Sequence, residues 1–460
     1  MVEYTLEPFV GKQFNAKFTG AAVFESGNSC LLFEKHGHIV LCRPSVVEIL
    51  REQRIPQQML HVFLQRGFVR AENVKISFGE RTPLAAPEFF MIDMTDGCCM
   101  KCKYCLRNIE KKPESISTDV LTDICQYITN YCNEEKPSHI SVQPWGGEPL
   151  LEFDKILYIY NLIKPETTKV HYSVETNGVL LSSKIIEEFE KRKIGLSVSL
   201  DGNEQLHDSQ RVMWDGKGSF KLIDQHIKEL KVKYGDKFGN ITTLTQQNAP
   251  YIEEILEFYL YELGLSHVKF NFVHNSDFSD CKDLCLNEDD IARTEKRLLD
   301  KLIQLHEDGR YIMDENILTK LKNILFCSSS DICLSKGCQG GYKMIVFDME
   351  GRIYPCELTD HPEESIGSIY DGRSLKQIIE EGIHKSSFFA EKKDERCKGC
   401  LWHCYCRGGC TVHVKSIGKH GIDPIECAVN RTLYPELIRL ILEKPYIVNH
   451  FLGSDVLDLE

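Results

Sequence analysis

No run of roughly 18 apolar residues, the least that spans a bilayer as a helix, occurs in the 460-residue chain. No membrane association is therefore expected. Basic charge is also in deficit: 55 Lys and Arg stand against 68 Asp and Glu, a formal net charge of −13. A nucleic-acid binder carries a concentrated basic footprint, so no nucleic-acid partner is expected. The opening Met-Val-Glu-Tyr-Thr-Leu-Glu lacks the basic and apolar regions of a secretory signal. A cytoplasmic location follows as an expectation.

Cysteine, by contrast, is abundant, at 20 residues. In a reducing compartment such thiols serve as metal ligands or small buried apolar residues more often than as disulfides. Cys98, Cys102 and Cys105 share the short loop Asp96-Gly-Cys-Cys-Met-Lys-Cys-Lys-Tyr-Cys-Leu106, directly after an apolar run. Their C-x3-C-x2-C spacing suits one 4Fe-4S cluster with an iron left over. A fourth cysteine normally completes a cubane; left free, that iron gives a substrate or cofactor a place to bind.

At 460 residues and 42% hydrophobic content the chain has material for two or three packed domains. Residues 1–85 carry short alternating stretches (Ala16-Lys-Phe-Thr, Cys30-Leu-Leu-Phe, His38-Ile-Val-Leu) that predict strands. Pro44-Ser-Val-Val-Glu-Ile-Leu and Pro56-Gln-Gln-Met-Leu-His-Val-Phe-Leu predict helices, each with Pro near the first turn. The order is that of a small winged-helix module. Its ten Lys or Arg and eight Asp or Glu leave the acidity to the rest of the chain. Arg81-Thr-Pro-Leu-Ala-Ala-Pro predicts a linker.

From Glu88 onward strand and helix alternate, which favours a parallel sheet. The strands fall at 89–95, 139–145, 169–175, 194–200, 240–245 and 267–274, with helices such as Thr118 to Tyr131 and Ile252 to Leu263 between them. Six βα units suit an open barrel. The cysteine loop, Gly146-Gly-Glu-Pro149, Thr176-Asn-Gly178 and Ser199-Leu-Asp-Gly202 all fall at C-terminal strand ends, the face where barrel active sites are built.

Cys98, Cys102 and Cys105, the Gly146-Gly-Glu-Pro149 turn and the six βα units together resemble the radical S-adenosylmethionine (SAM) superfamily, with Tyr104 as its aromatic residue before the last cysteine. The resemblance implies that the free iron chelates SAM and that reductive cleavage gives a 5'-deoxyadenosyl radical. It also implies a SAM site: Gly146 and Gly147 admitting close backbone approach beside Pro149, Glu148 pairing with the ammonium group, and Arg211 with the carboxylate. Asn177 and Ser199 complete it. The plain alternatives are a turn at Asn177-Gly178 and a solvated surface charge at Arg211.

Cys338, Gly351-x4-Cys356, Cys397-x2-Cys400-x5-Cys406-x3-Cys410 and Cys427 have the order and spacing of a SPASM domain, which in peptide-modifying relatives holds two further 4Fe-4S clusters. Asp348-Met-Glu-Gly351 between its first two cysteines predicts a hairpin. The family's crossed ligation, carried over, gives the nearer cluster Cys338, Cys356 and Cys410 with Cys333 as fourth ligand, and the farther one Cys397, Cys400, Cys406 and Cys427. Cys327 competes with Cys333, while Cys99 and Cys404 are surplus buried thiols. Zinc at Cys397, Cys400, Cys406 and Cys410 is the alternative; it leaves Cys338, Cys356 and Cys427 without a role.

The expected fold class is therefore α/β: a partial (β/α)6 TIM barrel over 86–310, preceded by a winged-helix-like leader-recognition module (1–85) and followed by a SPASM iron–sulfur domain (311–432) and a C-terminal tail (433–460). The expected cofactors are SAM and three 4Fe-4S clusters, one binding SAM and two auxiliary. The implied activity is modification of a ribosomally synthesised precursor peptide with a leader, by a thioether or carbon–carbon link or by epimerisation. The order of elements is similar to that of His-Xaa-Ser-type and sactipeptide or ranthipeptide maturases, with a flavodoxin or ferredoxin as electron donor. An anaerobic sulfatase-maturating oxidase is the alternative, although that family's acidic base is Asp where this chain has Glu357. A non-enzymatic iron–sulfur carrier is a third, disfavoured because a carrier needs no SAM site. Glu357 is the candidate base; its plain alternative is a solvated strand-end residue. The module's plain alternative is a packing domain.

Overall fold

A computed structural model describes residues 16–18, 21–53, 55, 57–71, 86–107, 113–235, 237–275, 281–327, 331–359, 362–385, 388, 394–417 and 421–457. The expected linker falls almost wholly outside these residues, as does Pro56.

The N-terminal module begins with β1 (Ala16–Phe18), then β2 (Ala22–Ser26), β3 (Ser29–Phe33) and β4 (Ile39–Cys42) as an antiparallel sheet. Helices α1 (Pro44–Arg51) and α2 (Gln57–Gln65) follow, and β5 (Val69–Ala71) pairs back on β1. Strand β3 is buried on both faces. Cys30 and Leu32 pack with Val47, Leu50, Phe63 and Phe68. Leu31 and Phe33, alternating with them, enter the large core that includes Trp402, Tyr405 and Tyr434. The Phe33 ring lies 5.3 Å from that of Trp402, and the Tyr405 hydroxyl donates to Gly37 O at 2.9 Å. The module is thus fastened to the cysteine-rich end of the chain.

The central sheet runs through β6 (Phe89–Asp93), α3 (Thr118–Glu135), β7 (His139–Trp145), α4 (Phe153–Leu162), β8 (Lys169–Thr176), α5 (Ser183–Arg192) and β9 (Gly195–Ser199). It continues with α6 (Glu204–Gln210), α7 (Phe220–Tyr234), β10 (Gly239–Leu244), α8 (Ile252–Glu257), β11 (His267–Phe272) and α9 (Glu288–Glu307). Side chains of Ser117, Ser182, Asn203 and Asn287 cap α3, α5, α6 and α9, accepting from backbone amides as N-caps do. The six strands are parallel and in sequence order. A short β12 (Met313–Asp314), followed by α10 (Glu315–Phe326), adds a seventh parallel strand beyond residue 310. The helix expected over 252–263 changes after Glu257 to a π turn, Phe258–Glu262. There the Tyr259 hydroxyl donates to Leu200 O at 2.6 Å and accepts from Gly202 N at 2.8 Å, fixing the turn after β9.

On the other side β13 (Met344–Phe347) pairs in parallel with β6, and β14 (Arg352–Tyr354) and β15 (Gly367–Ser368) extend the sheet antiparallel. The ten-stranded sheet stays open, with β12 and β15 as its edges. The predicted hairpin at Asp348–Gly351 joins β13 to β14. Helices α11 (Leu375–Lys385), α12 (His403–Cys406), α13 (Thr411–Ser416), α14 (Pro424–Glu443) and α15 (Pro445–Leu452) complete the chain. Where a tail was expected from residue 433 on, Leu433, Tyr434, Leu437, Ile438 and Ile441 recur at helical spacing and bury α14 in the main core.

Parallel strands are usually apolar on both faces; these are not. Leu196, Val198, Leu244, Val268, Phe270 and Phe272 lie on the helix-covered face. Alternate positions on the inner face carry Ser173, Glu175, Ser197, Lys269 and Asn271 instead. Register aligns Glu175 with Ser197, Ser197 with Gly239, and Ile241 with Lys269. A cavity of about 340 Å³ opens there, lined by Glu175, Ser197, Lys269, Asn316 and Asp331 among others. The inner face is built for a polar occupant.

Because Phe33 closes the module against the C-terminal region, Phe33→Ala should cost about 3 kcal/mol. Thermal unfolding with limited proteolysis should show a lower midpoint and earlier cleavage within residues 21–71; an unchanged midpoint would contradict this packing role.

Candidate active site

The cysteine loop leaves β6 and is held by backbone contacts to the turn after β7. Gly147 N donates to Thr95 O and Glu148 N to Gly97 O, both at 2.8 Å. Approach this close requires both glycines. Gly146 has φ +133°, and a Cβ there would lie 2.4 Å from Thr95 O; one on Gly147 would lie 2.1 Å from Gly97 O. The glycines expected to admit SAM also admit the backbone of the cysteine loop.

Glu148 also finds partners other than the expected ammonium group. It is 1% exposed. Its Oε1 accepts from Leu150 N (3.0 Å) and Thr176 Oγ1 (2.7 Å), and its Oε2 from Asn177 N (2.8 Å). Burial raises its pKa against those hydrogen bonds. Three of about four acceptor sites are taken, so Glu148 ties the β7 turn to the β8 turn. Pro149 opens the short 3-10 turn that Glu148 caps. Asn177 extends the chain of contacts: its Nδ2 lies 3.4 Å from Cys98 Sγ and 3.3 Å from Cys99 Sγ.

Arg211 is neither a solvated charge nor a free fork. At 7% exposure its Nε donates to Asp201 Oδ2 at 3.0 Å, its guanidinium lies 5.4 Å from the Tyr104 ring centroid, and Nη1 lies 3.9 Å from Cys102 Sγ. Burial opposes its charge, and Asp201 more than restores it. Asp201, fully buried, also accepts from the Tyr104 hydroxyl, Gln210 Nε2 (2.8 Å) and Thr243 N (2.9 Å). Tyr104 and Arg211 therefore stand beneath the loop as its support. Ser199 ends β9 half-buried, on the same face as Glu175 and Ser197. The segment after α6 clamps the loop from outside: Lys101 N donates to Val212 O (2.7 Å), Lys103 N to Gln210 O (2.9 Å) and Trp214 Nε1 to Cys98 O (2.8 Å).

The three thiols fit a shared cluster. Burial pushes Cys102 up to about 12; Cys105 and Cys98 add to that shift and Arg211 opposes it. Crowded thiols in such a setting do not ionise by themselves, whereas a coordinating metal deprotonates them outright. Among the described residues no three His, Cys, Asp or Glu side chains converge as on a single ion. A cubane spreads its ligands over separate corners.

The C-terminal cysteines fall into two groups. Cys338, Glu357, Asp331 and Cys410 all lie close enough to Cys333 to push its thiol up, and Cys356, buried, is raised by burial and then by Glu357, Cys338 and Cys410. This group borders the inner face, where Cys356 packs with Met91, Met344, Val346 and Tyr354. Cys397, Cys400, Cys406 and Cys427 line one cavity of about 460 Å³. Cys327 belongs to neither group, donating to Gly37 O at 3.4 Å. Cys404 donates to Leu401 O at 3.3 Å.

Glu357 adjoins the first group, accepting from Cys356 Sγ at 3.2 Å. Across from it, burial raises the pKa of Glu175, Lys269 opposes and Glu357 adds. Sequence reasoning missed Glu175 and Lys269, although a Lys within the apolar strand His-Val-Lys-Phe-Asn-Phe was a usable signal. Asp201 was visible as part of the turn after β9 but was given no role.

Residues 92–259 match the family model described as the Radical SAM superfamily. They form a radical SAM domain. The protein is accordingly an enzyme that contains a radical SAM domain, with the cysteine loop, the Gly146-Gly147 turn and the Asp201 network all inside that domain. The cysteine-type anaerobic sulfatase-maturating enzyme of Clostridium novyi (strain NT) is 24% identical over 333 residues, covering 69% of this chain and 85% of its own length. Native anSMEcpe, solved with bound AdoMet and Cp18Cys peptide, superposes with a TM-score of 0.66 at 21% identity, over 80% of this chain and 99% of that one. Streptococcus suis SuiB bound to precursor peptide SuiA gives 0.53 at 16% identity, over 89% of this chain and 99% of that one. These two structural likenesses establish a shared fold.

A Cβ at residue 147 must push the radical SAM loop off its backbone partner. Gly147→Ala should lose most of the iron bound by Cys98, Cys102 and Cys105 while keeping iron elsewhere, read by iron analysis against a Cys98→Ala reference. Full iron content in Gly147→Ala would show that the contact is not needed.

Proposed function

We propose that this protein modifies a peptide by SAM radical chemistry, the substrate segment lying on the polar inner face between the Cys98 loop and Glu357. What supports the reading is a loop of three crowded thiols after β6 together with Glu357 beside Cys356 and near Glu175 of the polar inner face. When bound, a 4Fe-4S cluster at Cys98, Cys102 and Cys105 supplies the electron that cleaves SAM to a 5'-deoxyadenosyl radical, and auxiliary clusters supply electron acceptors.

The chain's own residues do the rest. Asn177 and Arg211 donate toward the Cys98 and Cys102 sulfurs and hold the loop's charge in place. Glu175, Ser197 and Lys269 offer acceptors and donors to a peptide backbone. Glu357 takes the proton that the substrate sheds once a hydrogen atom and an electron have left it. Cys338, Cys356 and Cys410 with Cys333, and Cys397, Cys400, Cys406 with Cys427, are the ligand sets of the auxiliary clusters.

A ribosomally synthesised precursor is the preferred substrate. The N-terminal module presents β2 and β4 as the edges of its three-stranded sheet, and an extended leader binds such an edge by adding a strand. SuiB, named with a precursor peptide, is matched over more of this chain than anSMEcpe. The second reading, sulfatase maturation, is favoured by the Clostridium novyi relative. Products separate the two: a crosslinked peptide keeps its sulfur and is lighter by two hydrogens, whereas a sulfatase-derived Cys peptide loses sulfur and gains an aldehyde. Mass spectrometry of both probe peptides, with reconstituted enzyme, SAM and reductant, tests the reading, with the reaction run in D2O so that an epimerised residue gains one mass unit; an unmodified mass for both would end it.

Replacing Cys98, Cys102 and Cys105 together with Ala should abolish 5'-deoxyadenosine formation and leave auxiliary iron bound. Chromatographic detection of deoxyadenosine at the wild-type rate would remove the assignment. Glu357→Gln keeps size and removes basicity, so deoxyadenosine release should persist while peptide product falls at least tenfold. An unchanged product yield would leave Glu357 without a proton-accepting part.

A further inference from the structure

Asp423 touches both groups of C-terminal cysteines. Fully buried, it lines the cavity of Cys397, Cys400, Cys406 and Cys427. Its backbone carbonyl accepts from Cys427 N at 3.0 Å, a bond to the farther group. Its Oδ2 accepts from Cys410 N at 3.1 Å, a bond to the nearer group. Its Oδ1 accepts from Ile425 N (2.9 Å), capping α14, and from His413 Nδ1 (2.8 Å). Its own N–H donates to Gly408 O at 2.9 Å. The packing leaves no slack: a Cβ on Gly409 would come within 2.5 Å of Asp423 Cβ. His413, the carboxylate's partner, in turn places its backbone N–H 3.5 Å from Cys410 Sγ.

We infer that Asp423 is a positioning residue shared by the two auxiliary clusters, a fixed negative charge that lowers both of their reduction potentials and a hydrogen-bonded link between a ligand of each. The inference rests on the two-cluster reading above. A buried carboxylate disfavours the arrival of an electron at a cluster near it. Potentials of iron–sulfur clusters respond to nearby charge and to hydrogen bonds around the sulfurs. The effect is expected to be joint: the carboxylate accepts from Cys410 N of the nearer group, and the same residue lines the cavity of the farther one, so neutralising it moves both.

The test is an EPR-monitored redox titration of the full-length, anaerobically reconstituted holoenzyme. Asp423→Asn and Asp423→Ser both keep an acceptor suited to capping α14, so two variants are open to measurement, checked for wild-type iron content and circular dichroism. Both auxiliary potentials should rise by at least a tenfold change in reduction equilibrium, 59 mV for one electron. Asp394→Asn is the comparison. Asp394 caps the turn before Cys397, accepting from Arg396 N at 2.8 Å, and its removal should move only the farther cluster. A shift of one potential alone in the Asp423 variants, or of neither, overturns the inference. Wild-type enzyme with fewer than two auxiliary signals would instead overturn the two-cluster reading on which it stands.

Discussion

Two backbone hydrogen bonds, from Gly147 to Thr95 and from Glu148 to Gly97, set the position of everything reactive in the radical SAM domain. They draw the cysteine loop against the turn after β7 with no room for a side chain between. From that contact the order propagates outward: Glu148 reaches Thr176 and Asn177, and Asn177 reaches the Cys98 sulfur. A network built this way resists small displacements, because each buried acceptor that loses its donor would carry the desolvation cost of an unpaired polar group.

The second constraint is electrostatic. Arg211 and Lys269 are cations at the site with a carboxylate near: Asp201 for the first, and Glu175 and Asp331 for the second. Such pairs cost desolvation when buried and yield charged surfaces that hold their orientation. The sheet accordingly has two unlike faces, one apolar under its helices and one polar and open, which parallel sheets in closed α/β folds do not show.

Much of this was legible in the sequence. The His139–Trp145 strand has the predicted bounds, and the other parallel strands differ by one or two residues at their ends, because period-two burial fixes the strand and only the fraying ends depend on neighbours. The cysteine groups followed from spacing and resemblance. What sequence could not give was partnership. Glu148, Arg211 and Tyr104 were expected at a ligand, and the hydrogen bonds they make within the protein, to Thr176, Asn177 and Asp201, could not be read from spacing. Buried polar side chains are satisfied by whatever the fold brings near, and that is a tertiary fact. The helical end of the chain was read as a tail for a similar reason: the stripe from Leu433 to Ile441 has helical spacing, but the surface it buries against comes from α9, α10, α15 and the strands β2 and β3.

That packing has a consequence for how the protein comes into being. Tyr405 closes on Gly37 across 368 positions of sequence. At 5–20 residues per second, synthesis of that interval takes roughly 20–70 s. During that time Leu31 and Phe33 have no partner for their outward face. The first sheet to leave the ribosome is among the last to be completed, and an unpaired apolar face exposed for so long is a natural client for a chaperone.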